Sequence, residues 1–145
     1  MAFNNPDDDA LRRIFRATTT IAVVGLSPKP NRPSHGVARA LQRFGYHIIP
    51  VRPAVKEVLG ERAYATLEEV PQPIDMVDVF RAPEYVDEIV DSCIALGVGV
   101  LWLQEGVVND AAAQRAREAG ITVVMDRCTY KDYVRLFAGG SHQDT

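Results

Sequence analysis

Five cations follow the apolar runs of this chain: Lys29 and Arg32 after Thr20 to Val24, Arg52 and Lys56 after His47 to Val51, and Arg81 after Asp75 to Phe80. Cations gathered on one rim hold an anion, and guanidinium forks suit phosphate above all. Lysines and arginines in loops are otherwise simply solvated; what favours a ligand is that all of these fall where one edge of a sheet would lie. The loop from Val23 to Gly36, VVGLSPKPNRPSHG, strengthens the case. Gly25 frees the backbone to turn. Ser27 and Ser34 offer hydroxyls, and a helix beginning near Ser34 aims free N–H groups at an anion. Pro28, Pro30 and Pro33 stiffen the turn. An ordinary strand-to-helix connection accounts for Gly25 but not for the Lys, the Arg and the second Ser.

The same loop excludes two nucleotide motifs. Ser27 and Pro30 stand where G-x-G-x-x-G needs its later glycines, and G-x-x-x-x-G-K-[ST] is absent. The acidic residue expected about 20 residues further on to hold the ribose of NAD is missing; Val51, Arg52 and Pro53 end the second run instead. Arg52 suits a ribose that carries a phosphate. NADP and the 3′-phosphoadenosine end of coenzyme A both meet that description.

Other chemistry is sparse. His35 sits in the first loop, where it either donates to a phosphate or caps the helix start. His47 lies in a strand, and His142 in the tail. No pair has metal-ligand spacing. Asp75 and Asp78 read as strand-end residues, since nothing visible would raise the pKa of either. Cys128, in MDRCT, is the candidate redox thiol. Arg127 beside it and a helix start at Thr129 would lower its pKa, and under oxidation, with an external oxidant taking the two electrons, a CoA thiol nearby could form a mixed disulfide with it; the competing reading is a small packed thiol. Cys93 falls on an apolar helical stripe and Trp102 inside a strand, so both read as core. Tyr130 and Tyr133 either pack on the sheet edge or meet a second copy.

These residues need a frame to hold them. Thr20 to Val24, His47 to Val51, Asp75 to Phe80, Val98 to Leu103 and Ile121 to Met125 read as strands, with helices from Ser34 to Phe44, Pro83 to Leu96, Asn109 to Ala119 and Tyr130 to Phe137. Alternation of this kind predicts βαβ units and a parallel sheet. Near-continuous apolar runs predict strands covered on both faces. The expected architecture is α/β, a Rossmann-like three-layer α/β/α sandwich with five parallel strands in the order 3-2-1-4-5. Its ligand would sit beyond the carboxyl ends, where strand order reverses between the first and fourth strands.

With 145 residues, one domain is expected. A hydrophobic fraction of 47%, a charged fraction of 24% and a net charge of -3 describe an ordinary globular chain without the basic face of a nucleic-acid coat. The two cysteines make neither a disulfide framework nor a zinc site. No apolar run is long enough to span a membrane. The start, MAFNNPDDDA, is no signal peptide, so the expected location is the cytoplasm.

The segments VVGLSPKPNRPSHGVARAL, YHIIPVRP, LGERAYATLEEVP, DMVDVFRAPE, LWLQEGVVN and VVMDRC, in this order and spacing, resemble the single-domain coenzyme A-binding proteins. Those are themselves similar to the CoA-binding domain of succinyl-CoA synthetase α subunits. The resemblance implies a CoA-binding Rossmann-like domain over residues 18–137; before it, Pro6, the acidic run Asp7 to Asp9 and the apolar stripe of Leu11, Ile14 and Phe15 predict a helix in 1–17 packed on the domain as an appendage, and after it the polar segment 138–145 reads as a disordered tail. It implies that Gly25, Leu26 and Ser27 meet the pyrophosphate, with Arg32 and Ser34 nearby; Lys29 joins them on its charge and place in the loop alone. Arg52, Pro53 and Lys56 would meet the phosphorylated ribose and the adenine, Arg52 and Lys56 competing for the phosphate. Phe80, Arg81, Gln104, Glu105 and Gly106 would line the crevice toward the pantetheine arm. The phosphorylated histidine of the synthetase lies in a different domain, so ligase activity is not implied. The function expected is non-catalytic binding of CoA or an acyl-CoA, as a carrier, sensor or regulatory module. The alternatives are an NADP-dependent oxidoreductase and a nucleotide-binding interaction module.

Overall fold

The computed structural model describes residues 3–144, and its five sheet-forming parallel strands lie within the apolar runs, with one short hairpin outside them. In chain order the strands are β1 (Thr20–Val24), β2 (His47–Val51), a short pair β3 (Glu57–Val58) and β4 (Glu61–Arg62), β5 (Met76–Val79), β6 (Val100–Leu103) and β7 (Thr122–Val124). The helix α1 (Asp8–Ala17) precedes them, α2 (Pro33–Arg43), α3 (Val86–Leu96) and α4 (Asp110–Glu118) connect them, and α5 (Thr129–Phe137) follows. Boundaries follow local chemistry. Asp7 caps α1 by accepting from the Ala10 N–H, and Asn109 caps α4 by accepting from Ala112. Gly97, left-handed at φ 68°, ends α3.

The expected architecture is present: five parallel strands with helices on both faces. The strand order is not the expected one. It runs β2-β1-β5-β6-β7, so the third long strand joins the far side of β1 rather than the outside of β2. Pro50 shows why. His47 donates its N–H to Thr19 and Val51 accepts from Gly25 on the inner side of β2, so alternate residues face outward. Pro50 is one of these. It has no N–H to give a neighbouring strand, which confines β2 to the edge. Its carbonyl accepts from Tyr64, and Arg52 donates to the Tyr64 carbonyl. The chain after the β3–β4 hairpin, which was expected as loop, thereby covers that edge.

The reversal of strand order therefore falls between β1 and β5, not between the first and fourth long strands. There α2 leaves β1 toward one face and α3 leaves β5 toward the other, so their loops part and open a crevice.

Ala22, Val77, Leu101 and Val123 pack under α3 and α4, while Ile21, Val23, Met76, Trp102 and Val124 pack under α1, α2 and α5. The first helix is no appendage. Phe15 is fully buried, with ring centroids 5.3 Å from Trp102 and 5.4 Å from Tyr133. The segment expected to be a disordered tail also folds back. His142 stacks on Tyr46 at 4.4 Å, and its Nδ1 shares a hydrogen bond of 2.7 Å with the Tyr133 hydroxyl. Thr145, the last residue of that segment, and residues 1–2 lie outside the described residues. Among the described residues no helix is long and apolar enough to cross a membrane.

Candidate functional site

Gly25 ends β1 at φ +86°, and a Cβ there would lie 2.4 Å from the Phe80 carbonyl oxygen. Only glycine lets the β1 and β5 exits approach so closely. The loop that follows is fixed by its own side chains. Ser27 N–H donates to Ser34 Oγ at 3.0 Å, Lys29 N–H donates to Ser27 Oγ at 3.1 Å, and His35 Nδ1 donates to the Ser27 carbonyl at 3.0 Å. Each serine thus accepts from the backbone and keeps its own proton to donate. His35, expected as a phosphate donor or helix cap, holds the loop instead. Leu26 is fully buried in the core, which supports the turn from behind.

The loop and the strand ends enclose a cavity of about 780 Å³, lined among others by Gly25, Ser27, Lys29, Arg32, Ser34, Arg52, Pro53, Phe80, Gln104 and Glu105. Most of the residues singled out in the sequence meet there. Four do not: Leu26 is core, Lys56 is exposed on the approach to β3, Gly106 turns beyond β6, and Arg81 lines an adjoining hollow. Its guanidinium lies 3.9 Å over the Tyr85 ring, and that hollow shares Gly25, Arg52, Pro53 and Phe80 with the cavity. The phosphate role left open between Arg52 and Lys56 thus has only Arg52 on the cavity. The expected convergence of all five cations narrows to Lys29, Arg32 and Arg52.

Charge in the cavity is unbalanced. Among the described residues none of these three cations has a carboxylate oxygen within 4.0 Å; Arg12, Arg115, Arg127, Lys131 and Arg135 do, while surface cations such as Arg39 and Arg43 do not either. Glu105, the one carboxylate on the lining, is held by Lys131 at 2.9 Å. Arg52 Nη1 donates to the Gly25 carbonyl at 3.1 Å, so this side chain also ties the loop to β2. Arg32 caps α2 without a side-chain hydrogen bond, but Pro33 has no N–H and His35 and Gly36 donate to the Arg32 carbonyl, so of the free N–H groups expected there the Ser34 N–H remains.

A second hollow of about 580 Å³ continues from the first, sharing Pro33, Phe80, Gln104 and Glu105 and adding Gly36, Val37, Cys128, Tyr130 and Lys131. Cys128 is buried there, and burial pushes its thiol up, opposite to the expected direction. Arg127 does not counter this. It is bound by Asp132 through two hydrogen bonds of 2.6 and 2.7 Å. Tyr133 is core. Tyr130 is 42% exposed and stacks against Phe44.

Asp78 corrects the sequence reading most sharply. It is not a strand-end residue but lies within β5, fully buried, and burial pushes its carboxyl up to about 7. Gln104 Nε2 donates to its Oδ1 at 2.7 Å and the Thr129 hydroxyl to its Oδ2 at 3.1 Å. One signal was present: a carboxylate in an otherwise apolar strand, MVDVF, needs partners. They come from the end of β6 and the start of α5, far away in sequence.

Comparison with known proteins agrees with this architecture. An uncharacterized protein of Bacillus subtilis, YneT, is 43% identical over 124 residues, spanning 86% of this chain and 92% of that protein. A hypothetical protein from Pyrococcus horikoshii has the same fold, with a TM-score of 0.87 at 36% identity over 94% of this chain and 99% of its own. The α subunit of ADP-forming acetate–CoA ligase II from Pyrococcus furiosus is 30% identical over 88 residues, 59% of this chain but 19% of that subunit. Residues 19–133 match the model of the CoA binding domain, and the chain belongs to that family.

Proposed function

We propose that the protein binds coenzyme A, free or acylated, at the crevice between β1 and β5, without catalysing a reaction on it, as a carrier, sensor or regulatory module. The observation that carries this reading is a cavity bearing Lys29, Arg32 and Arg52 without carboxylate partners, opening into a second and more apolar hollow. CoA is a molecule of that kind, with three phosphates at one end and an uncharged amide arm ending in a thiol. The phosphates suit the cations, the serine protons and the Ser34 N–H at the start of α2. The arm suits the second hollow, where Cys128 would lie near the thiol. Each volume falls within the range of ordinary small-molecule sites.

Titration calorimetry with CoA, acetyl-CoA, dephospho-CoA and NADP tests the reading. CoA binds, and dephospho-CoA binds more weakly by about 1.5–3 kcal/mol, the worth of a charge-assisted contact. Arg52→Ala removes most of that gap. Absence of CoA binding, or tighter binding of NADP, would overturn the reading. Equal affinity for CoA and dephospho-CoA would deprive Arg52 of its phosphate.

A further inference from the structure

Gln104 sits where the two hollows join and is only 4% exposed. Its amide nitrogen is fully used: Nε2 donates to Asp78 Oδ1 at 2.7 Å and to Thr129 Oγ1 at 3.0 Å. The Thr129 hydroxyl completes a ring by donating to Asp78 Oδ2. The Gln104 carbonyl oxygen, in contrast, has no hydrogen-bond partner among the described residues. It is not sealed in either, since among the described residues Gln72 alone has a fully buried side-chain polar atom without a partner. A buried amide with both donors turned inward and its acceptor open to a cavity is an unfilled receptor for an N–H group.

We propose that Asp78 and Thr129 are positioning residues that turn the Gln104 carbonyl oxygen into the crevice, where it accepts from an amide N–H of the ligand's uncharged arm. The inference rests on the reading that CoA is the ligand. The ring has room for three donor hydrogens only, two from Gln104 and one from Thr129, and the ionised carboxylate receives two of them. A proton added to Asp78 is a fourth donor. Either the Thr129 hydroxyl swings its own hydrogen out of the ring and accepts that proton, or the Gln104 amide turns over, which places a donor where the ligand needs an acceptor. The ionised carboxylate, which takes both inward donors without any group turning, therefore favours the grip on the arm.

Other charges near this ring are engaged or remote from it. On the face of the sheet that Asp78 shares, Lys131 of α5 is paired with Glu105, and Asp132 with Arg127 and Arg135. On α1, Asp8 is paired with Arg135 and Asp9 with Arg12, and Arg16 lies over the Phe137 ring. On α2, His35 is bound to the Ser27 carbonyl, and Arg39 is exposed. The thiol of Cys128 feels the Asp78 charge. Burial raises the Asp78 carboxyl to about 7, so its ionisation changes across the neutral range.

The test measures CoA and adenosine 3′,5′-bisphosphate affinity from pH 6 to 8.5 for the wild type, Asp78→Asn and Gln104→Leu. The bisphosphate lacks the arm. Titration of the CoA phosphates is common to all three proteins and cancels between them. Relative to Asp78→Asn, the wild type gains about fivefold in CoA affinity as pH rises through neutrality, the worth of one neutral hydrogen bond. Gln104→Leu loses about fivefold toward CoA at pH 8.5 and loses that extra pH dependence, while bisphosphate binding is unchanged. Parallel CoA profiles for wild type and Asp78→Asn, or equal losses of both ligands in Gln104→Leu, would overturn the proposal. If Asp78→Asn fails to fold, the contrast between wild type and Gln104→Leu decides alone. A wild type that binds the bisphosphate but not CoA, or neither ligand, would overturn the parent reading instead.

Discussion

Gly25 joins three demands at one atom: a left-handed backbone, a carbonyl neighbour at 2.4 Å from any added Cβ, and a place on the cavity wall. Gly25→Ala is therefore expected to lose about 1–2 kcal/mol to the backbone conformation alone, and more because the Phe80 carbonyl must move. Urea denaturation of the two proteins reads the loss, and CoA affinity should fall with it as the loop shifts. An alanine variant as stable as the wild type would show that the β1–β5 approach is not tight. This glycine was legible in the sequence because an apolar strand that ends in Gly before a polar loop has to turn there. Asp78 was not. A carboxylate alternating with valines looks the same at a strand end and in a buried layer, and only the partners brought by β6 and α5 distinguish the two. Arg81 shows the opposite failure. Its position after β5 was correct, but a cation side chain is long, and the nearby Tyr85 ring drew it away.

Elements were legible where the apolar period was long, and their neighbours were not. The strands and the helices that link them follow from alternating apolar runs and glycine stops, but order within the sheet depends on which edge each strand can tolerate. Pro50 held that information: its missing N–H faces outward, so no strand could pair through it on that side. The short pair β3–β4 was too brief to show a period. For α1 the apolar stripe of Leu11, Ile14 and Phe15 was visible, but its depth was not, because the sequence does not say how large a hollow the stripe fills. Phe15 is fully buried beneath Trp102 and Tyr133. Phe15→Ala is expected to destabilise the protein by about 3–5 kcal/mol, the usual loss for a buried aromatic. A loss under about 1 kcal/mol in chemical denaturation, the size of a surface change, would mean that α1 is dispensable to the core.

At the scale of the whole molecule, the crevice is held in place by groups that folding must also tolerate. The cations on the cavity lie at the rim and stay hydrated, but Asp78 is fully enclosed, so its ionisation bears on the stability of the entire fold. Its carboxyl titrates near 3.8 when exposed and at about 7 in the folded protein. Below pH 4 both states carry the proton, and burial of Asp78 imposes no charge penalty. Between those values the folded protein holds a proton that the unfolded chain has released, so stability falls as pH rises, by at most about 1.4 kcal/mol per pH unit for a single group. Above neutrality both states are ionised and the penalty is constant. Asp78→Asn, which cannot ionise, should therefore gain on the wild type from pH 4 to 7 and run parallel to it above pH 8, in urea melts at each pH. Ligand binding acts in the opposite direction: a ligand that favours the ionised carboxylate lowers the Asp78 pKa when it binds, because coupling between two sites is reciprocal. Saturating CoA should then lower the upper edge of the window in which the two proteins diverge, leaving its lower edge near pH 4. A difference between the proteins that stays the same from pH 4 to 8 would mean that Asp78 does not titrate in the fold, and the link between the buried ring and the crevice would have no proton to carry it.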